Sequence, residues 1–389
     1  MPREPLLTRT FLAVSAAHFL HALAIHLYLH LPGFFSELGA TEVQIGVLFG
    51  ISAATAIASR PLLGRTMDLR GRRVVILAGG ALTTTVCIAY LTVHTLGPWL
   101  VVVRLLHGLG QAMLFASLFA FASDIVPPSR RIEGIALFGI SGMLPLALGG
   151  LLGDVILRRG GYHDLFLTAG VLAAAALLLS LTLRDKPRQA DRVPPRGIMV
   201  AFAQRDLLPL WFIGLVFAMG LAATSTFLKT FVLATGIGSV GVFFSAYAGA
   251  AIVLRLFFGS LPERVGPKRA LFPAMGAMAL GLALLTRAEG SLDVGIAGVL
   301  CGLGHGYTFP ILVGFVVARA RPSEHGAALA IFTALFDGGM LIGAPLLGLV
   351  IRISGYPAMF GAASAIVACG AGIFAVWDRR RAETPDVAR

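Results

Sequence analysis

The residues best suited to chemistry in this 389-residue chain are a few charged and titratable side chains inside long apolar segments. Arg104, His107 and Gln111 are spaced three and four residues apart, so they share one helical face, with Phe115 one turn further on. Arg104 would lie about 9 Å inside its segment. A charge at that depth is costly unless it faces water or a partner. We therefore expect Arg104 to face a polar cavity, where it binds an anionic group or poises a proton site; the alternative is snorkelling to the surface.

Asp337 is the one acidic residue near the middle of an apolar segment, roughly 18 Å along a helix that starts near His325. Removal from water disfavours the charged form of a carboxyl, which would let Asp337 exchange protons at near-neutral pH. We expect it to carry protons. The alternatives are a fixed pair with Arg104 and a site for a substrate amine.

Histidines are unusually dense in the first apolar segment, which holds His18, His21, His26 and His30. An imidazole that faces a cavity could couple a pH gradient to movement, and we expect His18 or His21 to do so. We expect His30 to lie at the membrane interface. His26 and His30 have metal-ligand spacing without a neighbouring acid or Cys in the sequence, so we expect no metal.

The second half of the chain offers fewer such groups. His305 is in register with Gln111, and Tyr307 follows it. Lys229 lies near the outer end of its segment, where snorkelling and a cavity charge are equally good explanations. We include all three in the predicted substrate and proton pathway.

The composition tells us what must position these residues. The chain is 57% hydrophobic and 13% charged, with a mean hydropathy of +0.87, whereas soluble domains are about 45–50% apolar and 25% charged. This excludes a water-soluble protein, a disordered chain and, with three Cys, a disulfide scaffold. The sequence predicts an all-α polytopic membrane protein.

Twelve apolar segments are long enough to cross a bilayer as helices. They lie near 10–32, 42–62, 74–94, 98–122, 132–156, 162–183, 206–234, 239–260, 269–287, 292–318, 325–351 and 356–377. The first has no small-residue cleavage site, so we expect it to be retained. Because twelve is even, both ends of the chain lie on one side.

The basic residues identify that side. One alternate set of loops and tails holds 24 of the 31 Lys and Arg residues, and the other set holds four. The positive-inside rule predicts a plasma (inner) membrane protein with both termini in the cytoplasm. This topology explains the net charge of +12 without nucleic acid. We expect a monomer whose partners are the lipid bilayer, a small-molecule substrate and protons, with no cofactor.

One connection is long and polar, and it divides the chain in two. We predict an N-terminal six-helix bundle over 1–183, a cytoplasmic linker over 184–205, a C-terminal six-helix bundle over 206–377 and a cytoplasmic tail over 378–389.

The two halves also resemble each other in sequence, as expected of a duplication. Five positions recur with a shift of 195: Arg60, Gly64, Asp68, Gly71 and Arg73 correspond to Arg255, Gly259, Glu263, Gly266 and Lys268. Others recur with a shift of 194: Gly108, Leu109, Gly110, Pro128, Ser129, Gly161 and Tyr162 correspond to Gly302, Leu303, Gly304, Pro322, Ser323, Gly355 and Tyr356.

Two six-span halves in parallel, joined by a cytoplasmic linker, resemble a major facilitator superfamily transporter. The most specific likeness is the run from Gly64 to Arg73, with Asp68, Gly71 and Arg72 at the family's positions. This sequence departs from the family by placing Leu69 directly after Asp68, where a basic residue is usual. The run from Arg104 to Ala112 is similar to the family's fourth-span motif.

The resemblance implies roles for the loop residues. Asp68, Arg72 and Arg73 would hold the two halves together when the cytoplasmic side is shut, with Asp124 as a further partner of Arg72. The copy after the eighth span, which contains Gly259, Glu263, Gly266 and Lys268, would do the same. A merely solvated turn is the alternative.

The fifth-span Gly-Pro-x-x-Gly-Gly motif of many antiporters is degenerate here, since the matching run is Gly149 to Asp154. Asp154 would be an outer gate or an interfacial residue.

These features favour a proton-coupled exporter of a small anionic, zwitterionic or amphipathic compound, working by alternating access. Uptake by symport or facilitated diffusion stays open because the antiporter motif is degenerate. A membrane enzyme or sensor is the third hypothesis, although neither Gly-x-Ser-x-Gly nor His-Glu-x-x-His occurs in the sequence.

Overall fold

The structure is a computed structural model that describes residues 5–127, 130–185, 201–321 and 324–379, without the side chains of 131–133 and 136. Most of the predicted linker (186–200), most of the predicted tail (380–389) and the repeated residues Pro128, Ser129, Pro322 and Ser323 lie outside this description. All regular elements within the described ranges are helices.

The helices follow the apolar segments of the sequence. Those of the first half of the chain are α1 (Arg9–His26), α2 (Leu31–Glu37), α3 (Glu42–Arg70), α4 (Arg72–Ala89), α5 (Pro98–Ile125) and α6 (Arg131–Ser180). Those of the second half are α7 (Leu208–Thr235), α8 (Val240–Phe258), α9 (Leu261–Val265), α10 (Pro267–Leu285), α11 (Ser291–Arg319) and α12 (His325–Trp377). Short 3-10 turns over Leu27–His30 and Tyr90–Thr92 continue α1 and α4.

Ten helical stretches of the described chain are long and apolar enough to cross a membrane. Two of them, α6 with 50 residues and α12 with 53, are each long enough to cross twice, because a helix needs about 20 residues for one crossing. Each of these two holds two of the twelve predicted segments.

Both long helices are interrupted at a glycine, and the two glycines are equivalent positions of the duplicated sequence. Gly161 has φ +71° and Gly355 has φ +81°. Residues with a Cβ rarely adopt this left-handed backbone, whereas glycine does so without penalty. Gly161 therefore recurs as Gly355 because, at each of these positions, the chain reverses direction between two consecutive apolar segments.

The described chain forms two compact units. Of the described residues, those within 1–39 and 54–189 form the first unit, and those within 40–53 and 190–389 form the second. The division differs from the predicted halves in one respect, since the first turns of α3 belong to the second unit. There Gly46 of α3 packs against the backbone of Ala344 in α12.

Glycines allow close helix packing inside each unit. In the first unit, a Cβ at Gly149 of α6 would lie 2.9 Å from the backbone carbon of His26 in α1. In the second unit, a Cβ at Gly343 of α12 would lie 3.0 Å from the Cα of Met219 in α7. Gly149 and Gly343 are again 194 residues apart, so the two units use the same contact between equivalent helices.

Candidate functional site

A buried arginine lies at the centre of a polar cluster in the first unit. Arg104, in the second turn of α5, is 3% exposed. Its Nη1 lies 3.3 Å from Tyr90 Oη and 3.3 Å from His107 Nδ1, and its guanidinium lies over the ring of Phe35 at 5.7 Å. Arg104 therefore does not snorkel: its charge is held among aromatic and polar side chains.

The contacts of His107 define its charge. Tyr90 Oη lies 2.9 Å from Nδ1 of His107, and a guanidinium can only donate hydrogen bonds. Nδ1 of His107 therefore accepts, so the ring is neutral and carries its proton on Nε2. Tyr28 packs edge-on against the same ring at 4.7 Å. These contacts hold the neutral imidazole of His107 beside the guanidinium of Arg104.

The histidines of α1 have separate environments. His18 Nδ1 lies 2.7 Å from Ser141 Oγ, and Ser141 donates to the carbonyl of Phe138, so the histidine must be the donor. The His18 ring stacks on Phe138 at 4.5 Å. His21 is 5% exposed and lines a small cavity between α1, α4, α5 and α6. His26 donates from Nδ1 to the Ala22 carbonyl at 2.7 Å.

His30 is enclosed by the protein. It is fully buried, because α6 covers it where glycines let the helices approach. It also has an acidic neighbour: its Nδ1 lies 3.8 Å from Oδ1 of Asp154. Its Nε2 lies 3.1 Å from the Gly150 carbonyl, and Tyr162 donates to its backbone carbonyl. Asp154 is distant from His30 in sequence, so the sequence alone did not reveal this pair.

The second unit contains a corresponding tyrosine and histidine pair. His305 of α11 is hydrogen-bonded through Nδ1 to the hydroxyl of Tyr247 in α8, and its ring meets Phe217 edge-on at 5.5 Å. Next to it, Arg255 Nε donates to the Gly306 carbonyl at 3.2 Å. Tyr307 instead donates to the carbonyl of Phe258 at 2.6 Å, so it holds the end of α8.

The other predicted pathway residues lie on three helices. Gln111 on α5, Lys229 on α7 and Asp337 on α12 are each half-buried, while Phe115 on α5 is 48% exposed. The helix face that carries Arg104 and His107 is thus buried at these two residues and becomes exposed two turns later, at Phe115.

The loop motif between α3 and α4 braces three helices of the first unit. Arg72 donates from Nε to Asp124 Oδ2 at 3.2 Å, and its Nη1 lies 3.3 Å from Asp68 Oδ1. This links the ends of α3, α4 and α5. Gly64 lies on α3 one turn before Asp68, with open space where a Cβ would point.

Arg73 binds the end of α6. Its backbone N–H donates to Asp185 Oδ1 at 3.1 Å, and its side chain donates to the carbonyls of Leu183 at 2.7 Å and Leu181 at 3.1 Å. Gly71 has φ +88°, and a Cβ there would meet the Asp185 carboxylate. Two features therefore require glycine at position 71: its left-handed backbone, and the Asp185 carboxylate that occupies the space of a Cβ.

The copy of this motif in the second unit repeats the brace with altered charges. Gly266 has φ +97°, matching Gly71, and Lys268 Nζ lies 3.1 Å from Asp378 Oδ2. Asp378 is 1% exposed and also accepts two hydrogen bonds from Arg319 at 2.6 and 2.7 Å. Gly259 and Glu263 are exposed.

The sequence was compared with known proteins. The Major Facilitator Superfamily matches residues 11–291 and 210–389, which together cover most of the chain. The chain belongs to the Major Facilitator Superfamily. The MFS-type transporter YhhS of Salmonella enteritidis PT4 is 26% identical over 350 residues, which cover 87% of this chain and 84% of that one. The MFS-type transporter BMASAVP1_A0869 of Burkholderia mallei is 26% identical over 364 residues, with 90% and 88% covered.

Solved structures share the major facilitator fold at low identity. The nucleoside transporter NupG has a TM-score of 0.78 at 16% identity, over 96% of this chain and 100% of that one. The human organic anion transporter MFSD10 has a TM-score of 0.72 at 18% identity, with 96% and 100% covered. This protein is thus a secondary transporter of the superfamily, and its described residues form helices in two pseudo-symmetric halves.

Sequence reasoning missed several partners of the superfamily's motif residues. Tyr90 and Asp185 were not singled out, although they contact Arg104 and Arg73. Asp378 was assigned to the tail, although it is buried against Lys268 and Arg319. The one available signal was the duplication, since Asp185 and Asp378 lie 193 residues apart and each comes shortly after the last helix of its half.

Proposed function

We propose that this chain is a proton-coupled exporter of a small organic compound with an anionic group, working by alternating access. Uptake by symport or facilitated diffusion is the second candidate, because the run from Gly149 to Asp154 lacks the proline and final glycine of the antiporter motif. The fold neighbours include transporters of nucleosides, organic anions and peptides, so the fold alone does not select the substrate.

The observation that carries this proposal is the buried charge of Arg104. A guanidinium at 3% exposure is costly to keep inside a membrane protein without a function. His107 is neutral and Tyr90 contributes a hydroxyl, so neither of these two neighbours removes the charge of the guanidinium. A carboxylate, sulfonate or phosphate can accept two parallel hydrogen bonds from such a group.

Proton coupling is assigned to Asp337. It is half-buried on α12, near the middle of the apolar segment over 325–351. A carboxyl that gains and loses a proton as its surroundings change from water to protein can link proton movement to a conformational change. Lys229, His305, His18 and His21 are the further titratable members of the proposed pathway.

The loop motifs are assigned to the conformational change itself. Asp68, Arg72, Arg73 and Asp124 form a charged brace at one end of the first unit, and rearranging it would accompany the opening of that side. In the proposed orientation this end faces the cytoplasm, as do both termini of the chain in the plasma (inner) membrane. The domain boundaries drawn from the sequence belong to the same proposal, as does a monomeric transporter.

The test is an untargeted mass-spectrometric comparison of cells and spent medium. The strains carry a deletion, the intact protein, Arg104→Gln or Asp337→Asn, with Arg287→Gln as the matched control because Arg287 is an exposed arginine. We expect one compound with an anionic group to be enriched in the medium with the intact protein and Arg287→Gln, and at least tenfold less with Arg104→Gln.

Two outcomes would overturn parts of this proposal. Enrichment inside the cells would replace export by uptake. A transported compound without an anionic group, moved equally well by Arg104→Gln, would remove Arg104 from the substrate site.

A further inference from the structure

Three neighbouring rings of the second unit are only half-buried, although they lie on apolar helices. They are His305 and Phe309 of α11 and Phe336 of α12. The ring centroid of Phe309 is 5.5 Å from that of Phe336, at an angle of 79° between the ring planes, and 6.0 Å from that of His305, at 71°. We propose that these three rings, named here the aromatic shelf, bind an aromatic ring of the transported compound.

The first step of the argument is that buried rings support the shelf. Phe217 and Phe332 are both fully buried. The ring of Phe217 is 6.0 Å from Phe336 and 5.5 Å from His305, and the ring of Phe332 is 6.1 Å from Phe309. Each ring of the shelf therefore packs against a buried ring and keeps part of its own surface exposed.

The second step is that the exposed surface of the shelf is not in contact with lipid. His305 lies at the middle of α11, one helical turn before Phe309, so the two residues share a face. Asp337 directly follows Phe336 and is half-buried as well. Ionisable side chains at this depth face the interior of the helix bundle or a water-filled space. The shelf therefore borders a polar space.

Phenyl rings that border a polar space need a reason to be there. Exposed apolar surface with polar residues at its rim marks ligand-binding grooves, because a ligand that covers such surface removes it from water. A secondary transporter has to contact its solute with surface that is open at some stage of transport. The solute is therefore the occupant that the membership of this chain in the superfamily supplies.

The duplication shows that helix packing does not require the whole shelf. A shift of 194 relates Phe309 to Phe115, which is 48% exposed, and relates Phe336 to Gly142. A Cβ at Gly142 would lie 2.9 Å from Cε1 of His18, so the helices of the first unit pack at this position around a glycine. The fold thus forms without a ring at the equivalent of position 336.

The angle between the rings favours a flat ligand. Aromatic rings attract each other in offset-stacked and edge-to-face arrangements. Because Phe309 and Phe336 are nearly perpendicular, a planar ring that stacks on one of them directs its edge at the other. A saturated ring of similar size covers the same surface without these contacts.

This inference deepens the proposed function and rests on it. The proposed substrate carries an anionic group, and the shelf adds an aromatic ring to that description. The substrate class is then an aromatic carboxylate, sulfonate or phosphate.

The test compares two carboxylates of equal charge and similar size, 1-naphthoate and its saturated partner decahydro-1-naphthoate. Isothermal titration calorimetry measures their binding to the purified full-length chain in detergent, after subtraction of the heat that detergent alone gives. We expect the wild type to bind 1-naphthoate about threefold to tenfold more tightly than the saturated compound. In Phe309→Leu and in Phe336→Leu the ratio of the two dissociation constants should fall to about one.

Two further variants make the result specific. Phe272→Leu is the matched control, because Phe272 is also half-buried and pairs with another ring, that of Phe374 at 6.3 Å; it should keep the wild-type ratio. Phe309→Tyr retains an aromatic ring and should keep the ratio too, which separates the loss of the ring from a folding defect. The proposal is overturned if the wild type binds both compounds equally or binds neither. It is also overturned if Phe309→Leu or Phe336→Leu keeps the preference, or if Phe272→Leu or Phe309→Tyr loses it.

The binding ratio separates this inference from the proposed export. A preference for 1-naphthoate that depends on the shelf, in a protein whose deletion changes no compound in the medium, would retain the shelf and remove export. Export of an anionic compound without an aromatic ring, together with equal binding of the two probes, would remove the shelf and retain the exporter.

Discussion

Lys268 Nζ lies 3.1 Å from Asp378 Oδ2, and at the equivalent position of the first unit Arg73 donates its backbone N–H to Asp185. In both cases the basic residue follows the motif's left-handed glycine, and the acid follows the last helix of its half. The two versions differ in burial, since Asp378 is 1% exposed whereas Asp185 is exposed. Because of this difference, we expect the two acids to contribute unequally to the free energy of unfolding.

Asp378→Asn should therefore destabilise the protein strongly. The change leaves Lys268 and Arg319 without their carboxylate in a buried setting, and breaking such a pair costs about 3–5 kcal/mol. Asp185→Asn should cost about 1 kcal/mol or less, since the amide oxygen of asparagine can still accept the hydrogen bond from the Arg73 N–H and one such bond contributes little net stability. Thermal unfolding of the two variants in the same detergent checks this; equal midpoints would contradict it.

Gly153→Ala should weaken the contact between α6 and the turn at His30. The new methyl group would overlap the His30 ring, and overpacking a close contact costs about 1–3 kcal/mol. Gly139→Ala on the same helix is the control, because a Cβ there meets nothing within 4 Å. The unfolding midpoint should fall for the first variant and stay level or rise for the second. A Gly153→Ala protein as stable as the wild type would show that the ring can move aside.

Asp68→Asn should slow turnover more than it weakens substrate binding. Asp68 contacts Arg72 at an exposed helix end, away from the Arg104 cluster, so its loss would disturb the brace and leave the proposed substrate site intact. Transport rates at saturating substrate, together with binding to the purified protein, separate the two effects. Asp164→Asn, an exposed acid outside the motif, should change neither. Weakened binding at normal turnover would contradict the gating assignment.

Asp337→Asn should abolish transport driven by a pH gradient at normal protein levels, because an amide occupies the carboxyl's place without exchanging a proton. Exchange of labelled for unlabelled substrate without a gradient should persist. Flux in proteoliposomes with and without an imposed gradient measures both. Undiminished gradient-driven flux in the variant would remove Asp337 as the proton carrier.

The fold class and the positions of the helices follow from the amino-acid sequence. Apolar segments of about 20 residues must form helices in a bilayer, because no water is present to satisfy backbone groups. The sequence also shows which glycines recur in both halves, and their backbone conformation explains why. Gly71, Gly161, Gly266 and Gly355 recur because each has a backbone conformation that other residues avoid.

The partners of the charged residues depend on how the helices pack. Asp154 lies 124 positions after His30, and Asp185 lies 112 after Arg73; no helical periodicity connects residues so far apart. Their contacts depend on which faces of α6 meet α1 and α4, and glycine packing sets those faces. The charge of His107 likewise follows from hydrogen bonds with Arg104 and Tyr90, which only the folded chain brings together.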